Sequence, residues 1–356
     1  MSPPTSKAIV ITAPGQAEVQ DLPTPQVRDG HILVKTKAVA LNPTDWKSFG
    51  STETVGNRSG CDFSGVVEEV GQNVGKPFKK GDRICGMVFG AGSPESAAFS
   101  EYLITKTDLA IKVPESLSFE EAATLGVGIT TVGQGLYQSL KLPFPDSPLT
   151  SPVPILIYGG STATGILGIQ FAKLSGLTVI TTSSPRNFEY LKSLGADAVY
   201  DYHEDIETLA RKIKDFTNKK LTLSWDCSPT EESARLCVLA MSDSDKGKYT
   251  SLTPIDPNFI KKYNPVVESE FTLGYSAFGE SFRRYGRTFE AKPEDREFAG
   301  MFWELSKDLL ADGRIKVAKI AVNQGGKGLE GVLKGLEDMK QGRVSGTKLV
   351  YRIESS

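Results

Sequence analysis

The chain has 356 residues with 41 Lys+Arg against 43 Asp+Glu, a net charge of −2, and 24% charged against 39% hydrophobic residues, an ordinary globular composition. That balance excludes the basic excess that nucleic acids and anionic membrane surfaces demand, and the length predicts two domains rather than one core. Four scattered cysteines, Cys61, Cys85, Cys227 and Cys237, form no C-x-x-C pair, and the two histidines, His31 and His203, leave most metal and triad chemistries short of parts.

The first residues, Met1 to Lys7, lead into a short apolar run rather than a signal-peptide core. No apolar stretch approaches the ~18 residues of a membrane span, so a cytoplasmic protein without membrane contact is expected. Up to Leu125, short apolar runs are broken by Gly, Pro and Asp. His31–Ala40, Gly65–Gly71 and Gly81–Gly86 read as closely spaced strands and turns, predicting an all-β barrel or sandwich. The pattern changes near Thr124, where Gly126–Thr131 opens a helical stretch to about Leu140, followed by a Pro/Ser-rich loop from Pro143 to Pro154.

Strands and helices then alternate. Strands are predicted at Ile155–Tyr158, Leu177–Thr182, Ala198–Tyr200, Leu221–Trp225 and Tyr249–Leu252, and helices at Gly165–Ser175, Asn187–Leu194, Ile206–Phe216 and Glu231–Met241. Such alternation makes βαβ units and a parallel sheet. The tail carries an amphipathic helix from Phe298 to Leu310, further short segments, and a last strand at Lys348–Ile353.

The sharpest local signal is the strand Ile155–Tyr158 running through Gly159, Gly160, Ser161, Thr162, Ala163 and Thr164 into a helix with Gly165 and Gly168. A glycine turn lets backbone approach a pyrophosphate, whose charge meets free N–H groups and the positive end of the helix dipole. The spacing departs from strict G-x-G-x-x-G, and a tight βα turn that binds nothing is the alternative. At the end of the next strand, where an NAD-preferring site places an acid against the ribose 2′-hydroxyl, this chain has Ser184, Pro185, Arg186 and Asn187. Hydroxyl, amide and guanidinium groups suit a 2′-phosphate, so NADPH is the expected cofactor. The plainer alternative is a helix cap at Ser184 and a solvated Arg186.

At this point a resemblance becomes legible. Asn42-Pro43-Thr44-Asp45, Gly65–Gly71, Gly81-Asp82-Arg83, Phe99–Tyr102 and Ala122–Leu125 resemble the zinc-free, quinone-reductase-like branch of the medium-chain dehydrogenase/reductase superfamily, over nearly the whole chain. Tyr158–Thr164, Ser184–Phe188, Asp201-Tyr202 and the run from Gly342 through Ser345, Gly346 and Lys348 to Val350 resemble the trans-acting enoyl reductases that partner fungal polyketide synthases, the lovastatin-pathway type. The resemblance implies an α/β protein: a GroES-like β-barrel catalytic domain over residues 1–125 and 285–356, and a Rossmann-type doubly wound parallel sheet over 126–284. It further implies a monomer that transfers hydride from NADPH to the β-carbon of an α,β-unsaturated acyl thioester carried by an acyl carrier domain of a synthase. Quinone or enone reduction, and NADPH binding without turnover, are the rival functions.

Zinc-dependent relatives place Cys near Asn42 and His-Glu where this chain has Cys61-Asp62, so a buried structural cysteine is expected rather than a metal ligand. Without a metal, an enoyl thioester needs a donor aimed at its oxygen, worth ~3 kcal/mol as the enolate forms. The resemblance points to Lys47 and Thr131 as catalytic candidates. On residue type alone, Lys47 reads as a solvated lysine and Thr131 as a helix-start hydroxyl. By the same carry-over Thr44, Asp45, Trp46, Lys47, Ser161 to Thr164, Ser184 to Asn187, Tyr202, Leu252, Thr253, Val344 and Ser345 line NADPH. Thr131, Val132, Gly133, Gln134, Gly135, Leu136, Tyr137, Gln138, Gly274, Tyr275, Ser276, Ala277 and Phe278 border the acyl chain. The plain reading of Tyr202 is a partly buried core tyrosine, and that of Gly274–Phe278 a strand of the sheet. Relatives read Gly-Pro-Thr where this chain has Gly274-Tyr275-Ser276, a change bearing on pocket size. Both histidines read as solvated or capping, leaving water to supply the α-carbon proton. Arg283, Arg284 and Arg287 form a basic loop, either solvated or facing an acidic carrier protein.

Overall fold

The structure, a computed structural model, describes residues 3–284 and 286–353; what the sequence suggested for Met1, Ser2, Tyr285 and residues 354–356 lies outside the described residues. The chain divides into two compact units, Met1–Thr130 with Tyr275–Ser356, and Thr131–Gly274. Residues 126–130 and 275–284, assigned from sequence to the dinucleotide domain, group with the first unit. Their bonds explain it: Asp62 accepts from Val127 N, the Trp303 indole donates to Thr130 Oγ1, and Tyr275 and Arg284 bond Thr44.

In the first unit, Thr5–Ala13 pairs antiparallel with Gln16–Pro23, and bridges from Ala8 to Ser100 and Val10 to Arg58 tie this hairpin down. A seven-stranded mixed sheet follows the order Ile320–Val322, Lys348–Arg352, His31–Ala40, Asp62–Val70, Arg83–Met87 and Ala110–Lys112, with Tyr102–Lys106 also pairing His31–Ala40. Ile32, Val34 and Val39 from the central strand meet Phe63, Val67, Ile84 and Leu103 in one apolar core. Two of the helices in this unit are long. Pro293–Ala311 starts earlier than its apolar stripe predicted, because Pro293 presets the first turn and Glu294 and Asp295 favour the dipole's positive end. Gly328–Lys340, which the sequence left among short segments, buries Leu329, Val332 and Leu336 at helical spacing against the same core.

The second unit is a six-stranded parallel sheet in the order Ala198–Asp201, Thr178–Ser183, Pro154–Tyr158, Leu223–Asp226, Gly247–Ser251 and Val267–Phe271. In chain order this is 3-2-1-4-5-6, the Rossmann arrangement, which reverses beside Pro154–Tyr158; in such sheets ligands generally bind at the carboxyl ends of the strands flanking the reversal. The helix over Ile206–Phe216 has the bounds its pattern predicted. The stretch read as one helix to Leu140 has two parts, an α-helix Gly126–Val132 and a π-helical turn Gly133–Ser139, in which Leu140 N donates to Gly135 O at 3.1 Å.

Trp225 explains two glycines of this unit. Its fully buried ring lies where a Cβ on Gly135 would come within 2.4 Å of Nε1, and one on Gly168 within 2.2 Å of a ring carbon. Gly168, read from sequence as part of the phosphate turn, is therefore a packing residue that admits an indole. Gly168→Ala should overpack this contact and destabilise the protein by about 1–3 kcal/mol. An unchanged urea midpoint would refute the contact.

Candidate functional site

The first unit holds a buried polar knot. Pro43–Ser48 is a short helix capped by Asp45, whose Oδ2 accepts from Asn42 N at 2.7 Å. Asn42 Oδ1 accepts from Lys348 Nζ at 2.6 Å, and the same ammonium donates to Asp62 Oδ2 at 2.9 Å, with side chains 2% and 0% exposed for Lys348 and Asp62. Asp62 Oδ1 in turn accepts from Val127 N at 2.7 Å.

These donors do not fit a zinc ion. The ammonium of Lys348 already occupies the oxygens of Asn42 and Asp62. Burial, with the carboxyls of Asp45 and Asp62 nearby, pushes the Cys61 thiol well up, away from the thiolate that zinc binds. Among the described residues no group of three or more His, Cys, Asp or Glu is placed to hold a metal. Lys348 was quoted from sequence only as part of a motif; its bonding to Asn42 and Asp62 has no local signal.

Next to this knot, Thr44 Oγ1 lies 2.8 Å from the Tyr275 hydroxyl, and Arg284 donates to the two oxygens at 3.2 and 3.4 Å. The Arg284 guanidinium also sits 4.8 Å from the centre of the Tyr275 ring. Gly274–Phe278 is a 3-10 turn rather than the strand its plain reading predicted, because Tyr275 is pinned to Thr44 and the Ser276 hydroxyl to Asp295. Arg284 is buried by these bonds and Arg283 pairs with Glu53, so they do not form a loop of free charges.

Lys47 is exposed, with its ammonium 5.7 Å from the Trp46 ring, and it lines a cavity of about 500 Å³ with Tyr275 and Phe278. Asp45 turns inward to its cap, while Thr44 and Trp46 are partly exposed on the same helix. Val344 packs on the core and Ser345 is exposed in the turn before Lys348.

In the second unit the glycine turn has the build of a phosphate loop. Gly159 adopts φ +79°, a region open to glycine, and a Cβ on Gly160 would fall 2.1 Å from Thr181 Oγ1. Gly159 N donates to Thr182 Oγ1 at 3.1 Å, fastening the loop to the neighbouring strand. Thr162 caps the helix Ala163–Leu174 by accepting from Gly165 N at 3.0 Å, and Ser161, Ala163 and Thr164 stand partly exposed at that N-terminus.

The adjacent strand runs on through Ser183, and Ser184 opens a 3-10 turn Pro185–Asn187 ahead of the helix Phe188–Ser193, so the helix predicted from Asn187 has a tighter entry. Ser184 Oγ is 3.3 Å from the hydroxyl of exposed Tyr202, and Asn187 Nδ2 donates to Ser183 Oγ at 3.2 Å. Pro185 and Arg186 are exposed beside them. Tyr202 is thus a surface ring rather than a core one, lying 4.2 Å from the His203 ring, whose Nδ1 is 2.6 Å from Asp201. His31 Nδ1 similarly lies 2.8 Å from Asp29 O, so both histidines serve turns. Leu252 and Thr253 follow the fifth strand, with Ser251 Oγ donating to Thr253 O at 2.8 Å.

The segment from Thr131 to Tyr137 is buried, and Gln138 partly so. Tyr137 commits its hydroxyl to Ser175 at 2.8 Å and stacks on Phe144 at 5.0 Å. Tyr137 and Gly135 are therefore core parts of the second unit.

Family models match in the same arrangement, an alcohol dehydrogenase GroES-like domain over residues 28–115 and a zinc-binding dehydrogenase domain over 163–279. The chain is 46% identical to the trans-enoyl reductase resD of Aspergillus sclerotiorum, over 98% of this chain and 100% of that one. It is 51% identical to the trans-enoyl reductase TOXD of Cochliobolus carbonum, over 81% and 95%. Among solved structures, the quinone oxidoreductase from Coxiella burnetii superposes with a TM-score of 0.71 at 25% identity, covering 98% of this chain and all of that one. The chain belongs to the trans-enoyl reductases of the medium-chain dehydrogenase/reductase family. It is an oxidoreductase with the Rossmann-type NAD(P)H fold of that family.

Burial, reinforced by the charge of Asp62, pushes the Asp45 carboxyl up to about 7. The unfolded chain releases this proton near 3.8, so the group's contribution to stability is complete below that value and is lost as pH rises through about 7. Between pH 5 and pH 8 the loss amounts to roughly 2–3 kcal/mol. Asp45→Asn should flatten the decline in stability by a comparable amount, read from urea unfolding at both pH values. Identical pH profiles for the two proteins would assign the ionisation elsewhere.

Proposed function

We propose that this chain reduces the α,β double bond of a polyketide acyl thioester held on the carrier domain of a synthase, using NADPH in preference to NADH. The observation that carries this reading is full-length similarity to proteins named trans-enoyl reductases, in a chain whose Asn42 and Asp62 are engaged by an ammonium and whose Cys61 is a buried, neutral thiol. Bound NADPH supplies the hydride received by the β-carbon.

The chain's own residues then have separable tasks. The Gly159–Thr164 turn and the helix N-terminus meet the pyrophosphate. Arg186, with Ser184 and Asn187, meets the 2′-phosphate through charge-assisted bonds where a carboxylate would repel it. Tyr202, Leu252 and Thr253 border the nucleotide at the strand ends, and Thr44, Trp46, Lys47, Val344 and Ser345 are further candidate cofactor residues. As charge builds on the thioester oxygen, Lys47 offers an ammonium to it, and water protonates the α-carbon. Thr131 is the second polar candidate, and Tyr275, Ala277 and Phe278 border the acyl group. The protein works as a monomer in the cytoplasm.

Arg186→Ala should weaken NADPH binding by about 1.5–3 kcal/mol and leave NADH nearly untouched. Equal losses for both cofactors, measured by fluorescence titration, would remove Arg186 from the 2′-phosphate.

The reaction itself is tested with NADPH deuterated at the transferred position and mass spectrometry of the thioester product. Deuterium at the β-carbon, with better use of carrier-tethered than of free substrates, is expected. A product without deuterium, beside rapid quinone reduction, would move the chain to the quinone-reductase reading, and no turnover of either substrate would leave a nucleotide-binding protein. Lys47→Ala should lower turnover by ~10²-fold with the fold intact, the cost of losing one donor in an oxyanion hole.

A further inference from the structure

The cavity of the first unit has an aromatic wall to which Tyr275 and Phe278, singled out in the sequence, are joined by Phe89 and Phe282, which were not. Val88, Phe89, Ile104, Tyr275, Phe278 and Phe282 form its apolar wall beside Lys47, and the rest of the lining is polar or charged, with Arg28, Glu53, Lys106 and Glu280 among it. Phe89 is the hub of this wall: its ring centre lies 4.4 Å from that of Tyr275, 5.6 Å from Phe278 and 5.5 Å from Phe282. Centroid separations of this size with tilted or edge-on planes are those of aromatic rings in favourable contact. Tyr275 cannot swing away, since Thr44 and Arg284 hold its hydroxyl.

Phe89 itself is fixed by the turn that carries it. A Cβ on Gly92 would fall 1.6 Å from Phe89 Cδ1, so the ring rests in the space that glycine leaves. A Cβ on Gly90 would meet Cys61 Sγ at 2.7 Å, and Ala91 between them takes φ +61°, a left-handed conformation uncommon for a residue with a side chain. Three consecutive residues are thus constrained so that one partly exposed ring projects into the cavity. Non-glycine backbone in that region is held only where its surroundings over-determine it, commonly at ligand sites.

We propose that this cavity holds the acyl chain and that Phe89 sets the longest chain it admits, acting as a specificity-determining residue positioned by Gly92. The inference rests on the acyl-reductase reading above and deepens it. A rigid ring in the apolar wall discriminates by length, because each methylene beyond the limit must displace a packed side chain or lie against the polar and charged part of the lining. One methylene in such a pocket is worth about 10–200-fold in kcat/KM.

The test uses the full-length protein and trans-2-enoyl pantetheine thioesters of four, six, eight and ten carbons. The native enzyme should show a length beyond which kcat/KM falls. Phe89→Ala should raise kcat/KM for the first chain past that limit by ~10-fold or more relative to the shorter ones, with NADPH affinity unchanged. Gly92→Ala leaves the ring intact but displaces it, and should shift the limit away from its native position. A folded Phe89→Ala with the native length profile would overturn the inference.

Calorimetric binding of the saturated acyl pantetheine thioesters keeps the two readings apart. A length limit that Phe89→Ala relaxes in binding, without turnover of any enoyl substrate, supports the cavity and defeats the reaction. Affinity that is independent of length, or no binding at all, overturns the cavity assignment.

Discussion

The ammonium of Lys348 is the fixed point of the first unit. A buried charge costs several kcal/mol in a dry interior unless another charge and a full set of hydrogen bonds meet it. Here Asp62 supplies the charge, Asn42 a carbonyl oxygen, and Val127 N fills the remaining Asp62 oxygen. Removing one partner from such a pair typically costs about 3–5 kcal/mol, because the other is left buried and alone. The last strand, the strand Asp62–Val70, the helix Pro43–Ser48 and the start of the helix Gly126–Val132 are all registered on this one centre. Thr44 and Lys47 inherit their positions from it.

The same arrangement decides which positive charge can act on a ligand. Lys348 is spent inside, and the Cys61 thiol beside it is kept neutral by burial and neighbouring carboxyls. Lys47 sits on the opposite side of the short helix's capping logic: Asp45 turns in to satisfy Asn42 N, and Lys47 turns out to the cavity. A six-residue helix thereby sorts an acid to the interior and a base to the surface.

Much of the fold was legible because periodicity is a local property. His31–Ala40 and Ile206–Phe216 declare their own faces and ends, and the βαβ alternation from Pro154 onward dictates a parallel sheet. The strand, glycine turn and helix from Ile155 to Leu174 were legible too, although Gly168 belongs to Trp225, a residue far along the chain whose contact no spacing rule records. The plain alternative for Gly274–Phe278, a strand of the sheet, fails for the same reason, since its conformation comes from hydrogen bonds to Thr44 and Asp295 rather than from its own residues. Lys348 is separated from Asp62 by 286 residues and from Asn42 by 306. An ion pair of that separation leaves no pattern in one sequence.

Phe89-Gly90-Ala91-Gly92 illustrates how far composition can mislead about rigidity. Two glycines around an alanine give a turn little stiffness of its own. In the structure the space left by each missing side chain is taken, by the Cys61 sulfur at Gly90 and by the Phe89 ring at Gly92, so the turn loses the freedom its composition promises. Cys61 then has a function that neither metal binding nor nucleophilic chemistry supplies. Its sulfur, 3.7 Å from the Tyr275 hydroxyl, fills the gap between the polar knot and the aromatic wall. The rigidity that Lys348 imposes on one side of Cys61 is passed by close packing to the residues that line the cavity on the other.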